Sequence, residues 1–298
     1  MSATTSKQAN RAPGRRPGAI DAWATLVRPG TLDRWPAEFI HIFRRYGTLP
    51  LFERGMTPEA LIDEMDAAGV ERLMLSAFGY GDAEIITNEE VAELCGKHPD
   101  RFTGVGTVDP RGKPMDVVRK IERLARGLGL RGLRLEPYAY GDGTVGAPPN
   151  QKMYWPVYAK CVELGLPVAI QVGHTGPLLP SEAGRPIYLD EVALAFPELV
   201  ILGCHLGQPW HEEMMILAWK HPNVYVETSA RTPKHWPESF VKFAGSYGQD
   251  KVLWATDYPL LTFGRTLDEL ADLGFSDAVY EKIVRGNAVR AFGLEVRS

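Results

Sequence analysis

Cysteine is scarce in this chain: Cys95, Cys161 and Cys204 are odd in number, widely spaced and form no CxxC pair. That argues against a disulfide framework and for a reducing compartment. No apolar run approaches the roughly 20 residues needed to cross a bilayer, so no membrane partner is expected. Met1–Gly18 is rich in Ser, Thr and Arg but lacks an apolar core segment, and it does not read as a secretory signal. It reads as a flexible tail, residues 1–18, ahead of one domain, residues 19–298; the expected location is the cytoplasm. An excess of positive charge is also missing. With a net charge of −4 and a pI near 6.0, nothing favours binding to a phosphate backbone, and nucleic acid is not expected as a partner. Neither GxGxxG nor GxxxxGK[ST] follows the first strand pattern, which speaks against an open doubly wound sheet built for nucleotides.

What the chain does contain is a steady rhythm of short apolar runs, each followed by an amphipathic helical pattern. The runs Ala19–Thr25, Arg72–Ala77, Phe102–Val108, Arg131–Glu136, Pro167–Val172, Leu199–Cys204, Asn223–Glu227 and Lys251–Thr256 predict eight strands. Between them, patterns such as Pro58–Ala68, Glu89–Lys97, Met115–Leu128 and Tyr154–Leu164 repeat apolar residues at three- and four-residue intervals. Several end at glycine, and Thr57-Pro58 supplies an N-cap followed by proline at the first helical position. Near-continuous apolar strands fit a parallel sheet buried on both faces, and right-handed crossovers close eight such units into a (β/α)8 TIM barrel. The longest connection, about 45 residues between the first and second strands, carries Trp35, Phe39, His41, Phe43 and Tyr46. It reads as an insertion over the barrel mouth, with the roof spanning about Val27 to Arg54.

In such barrels chemistry sits at the C-terminal ends of the strands. The polar and aromatic residues at those ends are Trp23, Thr25, Asp109, Glu136, His174, His205, Glu227, Ser229 and Asp257. Histidine titrates near neutrality, which suits His174 and His205 to proton transfer. Trp23 either fills space or offers a flat apolar wall to substrate, and Thr25 is a hydrogen-bonding lining residue. Arg134 and Arg231 could hold a substrate carboxylate through a bidentate fork, or pair with Glu136 and Glu227 as structural ion pairs. His211, just after Gln208-Pro209-Trp210, could reach the mouth from the sixth loop. Alternation along the sixth strand points Cys204 outward, towards the helices.

The segments Gln171-Val172-Gly173-His174-Thr175-Gly176, Gly203-Cys204-His205-Leu206-Gly207 and Ala255-Thr256-Asp257-Tyr258-Pro259 resemble strand-end motifs of the amidohydrolase superfamily, of the aminocarboxymuconate-semialdehyde decarboxylase type. So do Met65-Asp66-Ala67-Ala68-Gly69-Val70, His98-Pro99-Asp100-Arg101-Phe102 and the stretch from Gly286 to Phe292. The resemblance runs from about Gly18 to Leu294. It implies metal-ligand roles for His174 and Asp257, and an acid–base role for His205 beside a metal-bound water. The family's first strand ends in His-x-His; this chain has Trp23 and Thr25 there. Two of the family's ligands remain, one short of the three typical of catalytic zinc. Three arrangements stay open: no metal, with Asp257 or His205 activating water directly; one zinc, manganese or iron ion held by His174, Asp257 and His205; or the same ion with Glu136 or Glu227 completing the shell.

The first functional expectation is a hydrolase acting on a small lactone, amide or ester, with His174, His205 and Asp257 as catalytic residues. In it Asp257 or His205 takes a proton from water, His174 polarises the carbonyl, and an arginine holds a substrate anion. The alternative is a non-oxidative decarboxylase or hydratase of an aromatic or unsaturated carboxylic acid, as in relatives with similar motifs. A third is a non-catalytic ligand-binding protein on a decayed scaffold. Expected partners are a small-molecule substrate and a second copy of the chain in a homo-oligomer.

Overall fold

The computed structural model describes residues 18–141 and 146–295. Apart from Gly18, the tail expected over residues 1–18 lies outside the described residues. Eight parallel strands follow one another in chain order: Ala19–Ala24 (β1), Val70–Ser76 (β2), Phe102–Thr107 (β3), Leu133–Leu135 (β4), Val168–Gln171 (β5), Ile201–Cys204 (β6), Val224–Glu227 (β7) and Val252–Leu253 (β8). A parallel bridge from Ala24 to Tyr258, with the backbone bonds Ala22 N–H to Trp254 O and Asp257 N–H to Trp23 O, joins the last unit back to the first. The sheet thereby closes into the barrel that the sequence rhythm predicts.

Apolar runs are buried on both faces for a simple reason. One set of side chains, including Ile20, Ala22, Met74, Val105, Ala169, Leu202 and Leu253, fills the lumen. The alternate set packs under the surrounding helices. Thr57 caps the helix Pro58–Ala68 by accepting from Ala60 N–H at 3.2 Å, and Gly69 ends it in the left-handed conformation at φ 77°. The helix expected over Met115–Leu128 is α-helical at Pro114–Glu122 and continues as a π turn over Arg123–Gly127. β8 is shorter than the predicted Lys251–Thr256. Trp254 N–H is diverted to Ile283 O and Thr256 N–H to the Asp21 side chain, so the ladder stops after two residues.

The connection between β1 and β2 folds over the mouth, as expected, in two helices, Ala37–Tyr46 and Leu49–Arg54. Trp35, Phe39, Phe43 and Phe52 interlock with Phe78, which stands on a hairpin formed by Phe78–Tyr80 and Ala83–Ile86. Among the described residues no helix is long and apolar enough to cross a membrane.

Candidate active site

A cavity of about 280 Å³ opens at the C-terminal ends of the strands. His174, His205 and Asp257, contributed after β5, β6 and β8, all line it, together with Thr25, Arg134, Glu136, Gln171 and Arg231. The roof supplies Trp35, Phe39, His41, Phe43, Arg45 and Tyr46.

Backbone conformation at the strand ends aims these groups. His205, Leu206, Ala230 and Asp257 adopt left-handed φ values of 61°, 62°, 55° and 59°. Each costs a side-chain-bearing residue about 1–2 kcal/mol, a cost the surrounding packing must offset. Cys204, two residues after Leu202, faces the lumen with it rather than the helices as expected, and the left-handed turn at His205 breaks the alternation by bringing the next side chain to the cavity as well. Ahead of His174, Gly173 sits at φ 84°, where a Cβ would lie 2.4 Å from the Gln208 carbonyl oxygen.

On the floor, Trp23 is fully buried. The pairing of β1 with β2 slips between Asp21 and Ala24. The indole Nε1 donates to Asp257 Oδ1 at 3.0 Å, and the ring meets His205 edge-on at 5.4 Å. Arg134 lies between two aromatic faces, 4.1 Å from the Trp23 centroid and 4.6 Å from that of Phe78. Such desolvated cation–π contacts are worth about 2 kcal/mol. Its Nε donates to Glu136, so Glu136 and Arg134 form the buried ion pair foreseen; Glu136 Oε2 is left without a protein partner.

Arg231 pairs with no carboxylate among the described residues. Its Nη2 donates to His174 Nε2 at 2.8 Å, while its buried Nε has no partner. His174 Nδ1, 3.0 Å from Thr175 O, donates there, which fixes the neutral ring with Nε2 as acceptor. Burial, then Arg231 and Arg45, lower the His174 pKa. Burial and the two cavity arginines hold His205 well below the ordinary histidine range, so both rings are neutral at pH 7. Asp257 moves the other way. Burial raises it to about 6, opposed by Arg134 and by the Trp23 hydrogen bond. Its carboxyl therefore exchanges a proton near neutrality, which is what general acid–base work requires.

Several expectations need correction. Glu227 does not meet Arg231; it lies fully buried and accepts from Ser229. His211 does not line the cavity: its ring bonds Pro209 O and lies 3.4 Å from Ser239 Oγ on the exposed start of its helix. Asp109 bonds Arg111 on the surface. Trp23 lies beneath the cavity rather than forming an exposed wall, whereas Thr25 lines it and donates to Tyr258 O at 2.9 Å. Asp21, placed on no site by its sequence, is a buried carboxyl raised to about 7 by desolvation and held by Thr256 and Trp23 N–H. A lone aspartate in an apolar strand was the only signal.

The expected metal shell is not assembled. The Asp257 Oδ1 and the His174 Nε2 already accept from Trp23 and Arg231, and two guanidinium groups occupy the space around them. Among the described residues no cluster of three or more His, Cys, Asp or Glu side chains is arranged to hold a metal ion. These donors do not fit a divalent cation.

A gamma-resorcylate decarboxylase from Polaromonas sp. (strain JS666 / ATCC BAA-500) is 24% identical, over 77% of this chain and 85% of its own. An uncharacterised TIM-barrel protein from Bordetella bronchiseptica superimposes with a TM-score of 0.79 at 23% identity, over 92% of this chain and 98% of its own. A dihydroxybenzoic acid decarboxylase from Polaromonas sp. JS666, with bound manganese and 2-nitroresorcinol, gives a TM-score of 0.70 at 19% identity, over 93% and 97%. The amidohydrolase family profile matches residues 20–294, nearly the whole of the described chain. The chain belongs to the amidohydrolase family.

Proposed function

We propose that the protein is a non-oxidative decarboxylase of a hydroxybenzoate-type aromatic acid. The observation that carries this reading is Asp257. It is a carboxyl with a pKa of about 6, one oxygen tied to Trp23, facing a small aromatic-walled cavity that also holds the carboxylate-free guanidinium of Arg231. The ring of the substrate lies against Phe39, Phe43 and Phe78. Arg231, whose guanidinium lines the cavity and meets no carboxylate among the described residues, orients the substrate carboxylate. The proton on Asp257 passes to the ring carbon that bears the carboxylate; the carbon–carboxylate bond then breaks, its electron pair returns to the ring, and CO2 leaves. Water reprotonates Asp257. His205, neutral and with one ring nitrogen left for the cavity, is suited to hydrogen bonding with a ring hydroxyl, whereas both nitrogens of His174 are engaged by Thr175 and Arg231.

The named activities of the relatives support this reading over hydrolysis. Hydrolysis of a lactone, amide or ester, the first expectation from the sequence, would use the same Asp257 and His205 and has the weaker support. The test is headspace CO2 from dihydroxybenzoates in D2O, run beside acid release from a lactone and ester panel. CO2 with deuterium at the vacated ring carbon is the expected result. Acid release without CO2 would replace the proposal with hydrolysis, and tight binding without turnover would return the scaffold to a binding role.

A further inference from the structure

Behind His205 runs a chain of two buried polar side chains, Ser229 and Glu227, that the proposed reaction does not use. Glu227, at the end of β7, is fully buried. Its Oε1 accepts from Ser229 N–H at 2.6 Å, and its Oε2 lies 2.8 Å from Ser229 Oγ. The same Oγ lies 2.6 Å from His205 Nδ1. The other ring nitrogen is left for the cavity that His205 lines.

We propose that Glu227, acting through Ser229, sets which nitrogen of His205 carries the proton, and so whether His205 offers the cavity a donor or an acceptor. One hydroxyl between a carboxyl and an imidazole leaves two consistent arrangements. With Glu227 protonated, Oε2–H donates to Ser229 Oγ, Oγ–H donates to Nδ1, and Nε2–H is a donor to the cavity. With Glu227 ionised, Nδ1–H donates to Ser229 Oγ, Oγ–H donates to the carboxylate, and Nε2 presents a lone pair. No net proton is gained or lost by the ring; only the proton on Glu227 is exchanged with solvent.

Burial raises Glu227 to about 8, opposed by its bonds to Ser229. The groups around it are the Cys204 thiol on β6, the Asp21 carboxyl on β1 and the Arg231 guanidinium after β7. His205 is faced by Arg231, Arg134 and His174, all of which disfavour a cationic ring, so the neutral ring must choose a tautomer. The inference holds whichever reaction the cavity performs. Glu227 and Ser229 are positioning residues and touch no substrate.

The experiment is long-range proton–nitrogen NMR of the full chain with labelled histidine, from pH 6 to pH 10. His205 is assigned by the signal missing from His205→Gln. In the wild type the ring nitrogens should exchange their protonated and unprotonated signatures with a midpoint near pH 8. In Glu227→Gln the amide keeps donating to Ser229, so the Nε2–H form should persist to pH 10. In Ser229→Ala, Nδ1–H should turn to the Ser229 carbonyl, 3.4 Å away, and stay there at every pH. A wild-type tautomer that does not change over this range, or Nδ1–H in Glu227→Gln together with Nε2–H in Ser229→Ala, overturns the proposal. The wild-type titration stands alone if either variant fails to fold.

Discussion

Trp23 Nε1 donates to Asp257 Oδ1 across 234 residues of chain at 3.0 Å, and this bond joins the two ends of the barrel at the cavity floor. It favours the ionised carboxyl, against the desolvation that pushes Asp257 up to about 6. Trp23→Phe removes the donor. A hydrogen bond to a charged group is worth about 1.5–3 kcal/mol and each pKa unit about 1.4 kcal/mol. Asp257 should therefore move up by about one unit or more. Because the proposed reaction needs the protonated acid, activity falls as pH rises through the Asp257 pKa. In the variant that falling limb of kcat/KM should shift to higher pH; an unmoved limb would separate Asp257 from the rate.

Asp257→Asn keeps the shape and removes the transferable proton. General acid catalysis contributes about 10²–10⁴-fold, and CO2 release should fall by that order while the affinity for a non-reacting analogue changes little. Single-turnover kinetics beside calorimetric binding separates the two effects. Full activity in this variant would contradict the assignment of the acid.

Arg231→Gln should weaken binding of the acid by about 10–100-fold, the equivalent of one or two charge-assisted hydrogen bonds. The methyl ester of the same acid, which lacks the carboxylate, should bind the variant and the wild type alike. An equal loss for acid and ester would make Arg231 a support for His174 rather than an anion site.

Manganese added to chelator-treated protein should leave both thermal stability and activity unchanged, because the nearest donors already serve Trp23 and Arg231. Elemental analysis after removal of free ion tests this. One tightly held transition metal per chain would mean that Arg231 and Trp23 move aside to release Asp257 and His174.

Asp21 and Glu227 carry a stability that depends on pH. Their folded pKa values, about 7 and about 8, lie above the ordinary 3.8 and 4.5. The folded state thus binds more protons than the unfolded chain between those limits. The associated stability is complete below about pH 4 and is lost as pH rises through 7 and 8. Melting temperature should fall by several degrees between pH 5.5 and pH 9, each kcal/mol being worth about 2–4 °C for a domain somewhat smaller than this one. Asp21→Asn, which keeps hydrogen bonds to Thr256 without a charge to desolvate, should flatten the slope between pH 5.5 and pH 7.5. A slope identical to that of the wild type would place the cost elsewhere.

Sequence alone determined the barrel. The period of its apolar residues, the caps such as Thr57 and Gly69, and the parallel-strand patterns are local properties, and helix or strand geometry turns them directly into position. The same register delivered His174, His205 and Asp257 to one rim, because parallel strands carry their C-terminal residues to the same end. The tertiary structure alone decided what these groups meet there. That Arg231 takes His174 rather than Glu227, that a left-handed turn brings His205 to the cavity directly after an inward Cys204, and that Trp23 holds Asp257 all depend on contacts between distant parts of the chain and on backbone turns that break alternation. A side chain's protonation depends on its neighbours in space and on how much water surrounds it, and neither is written in the residues beside it along the chain.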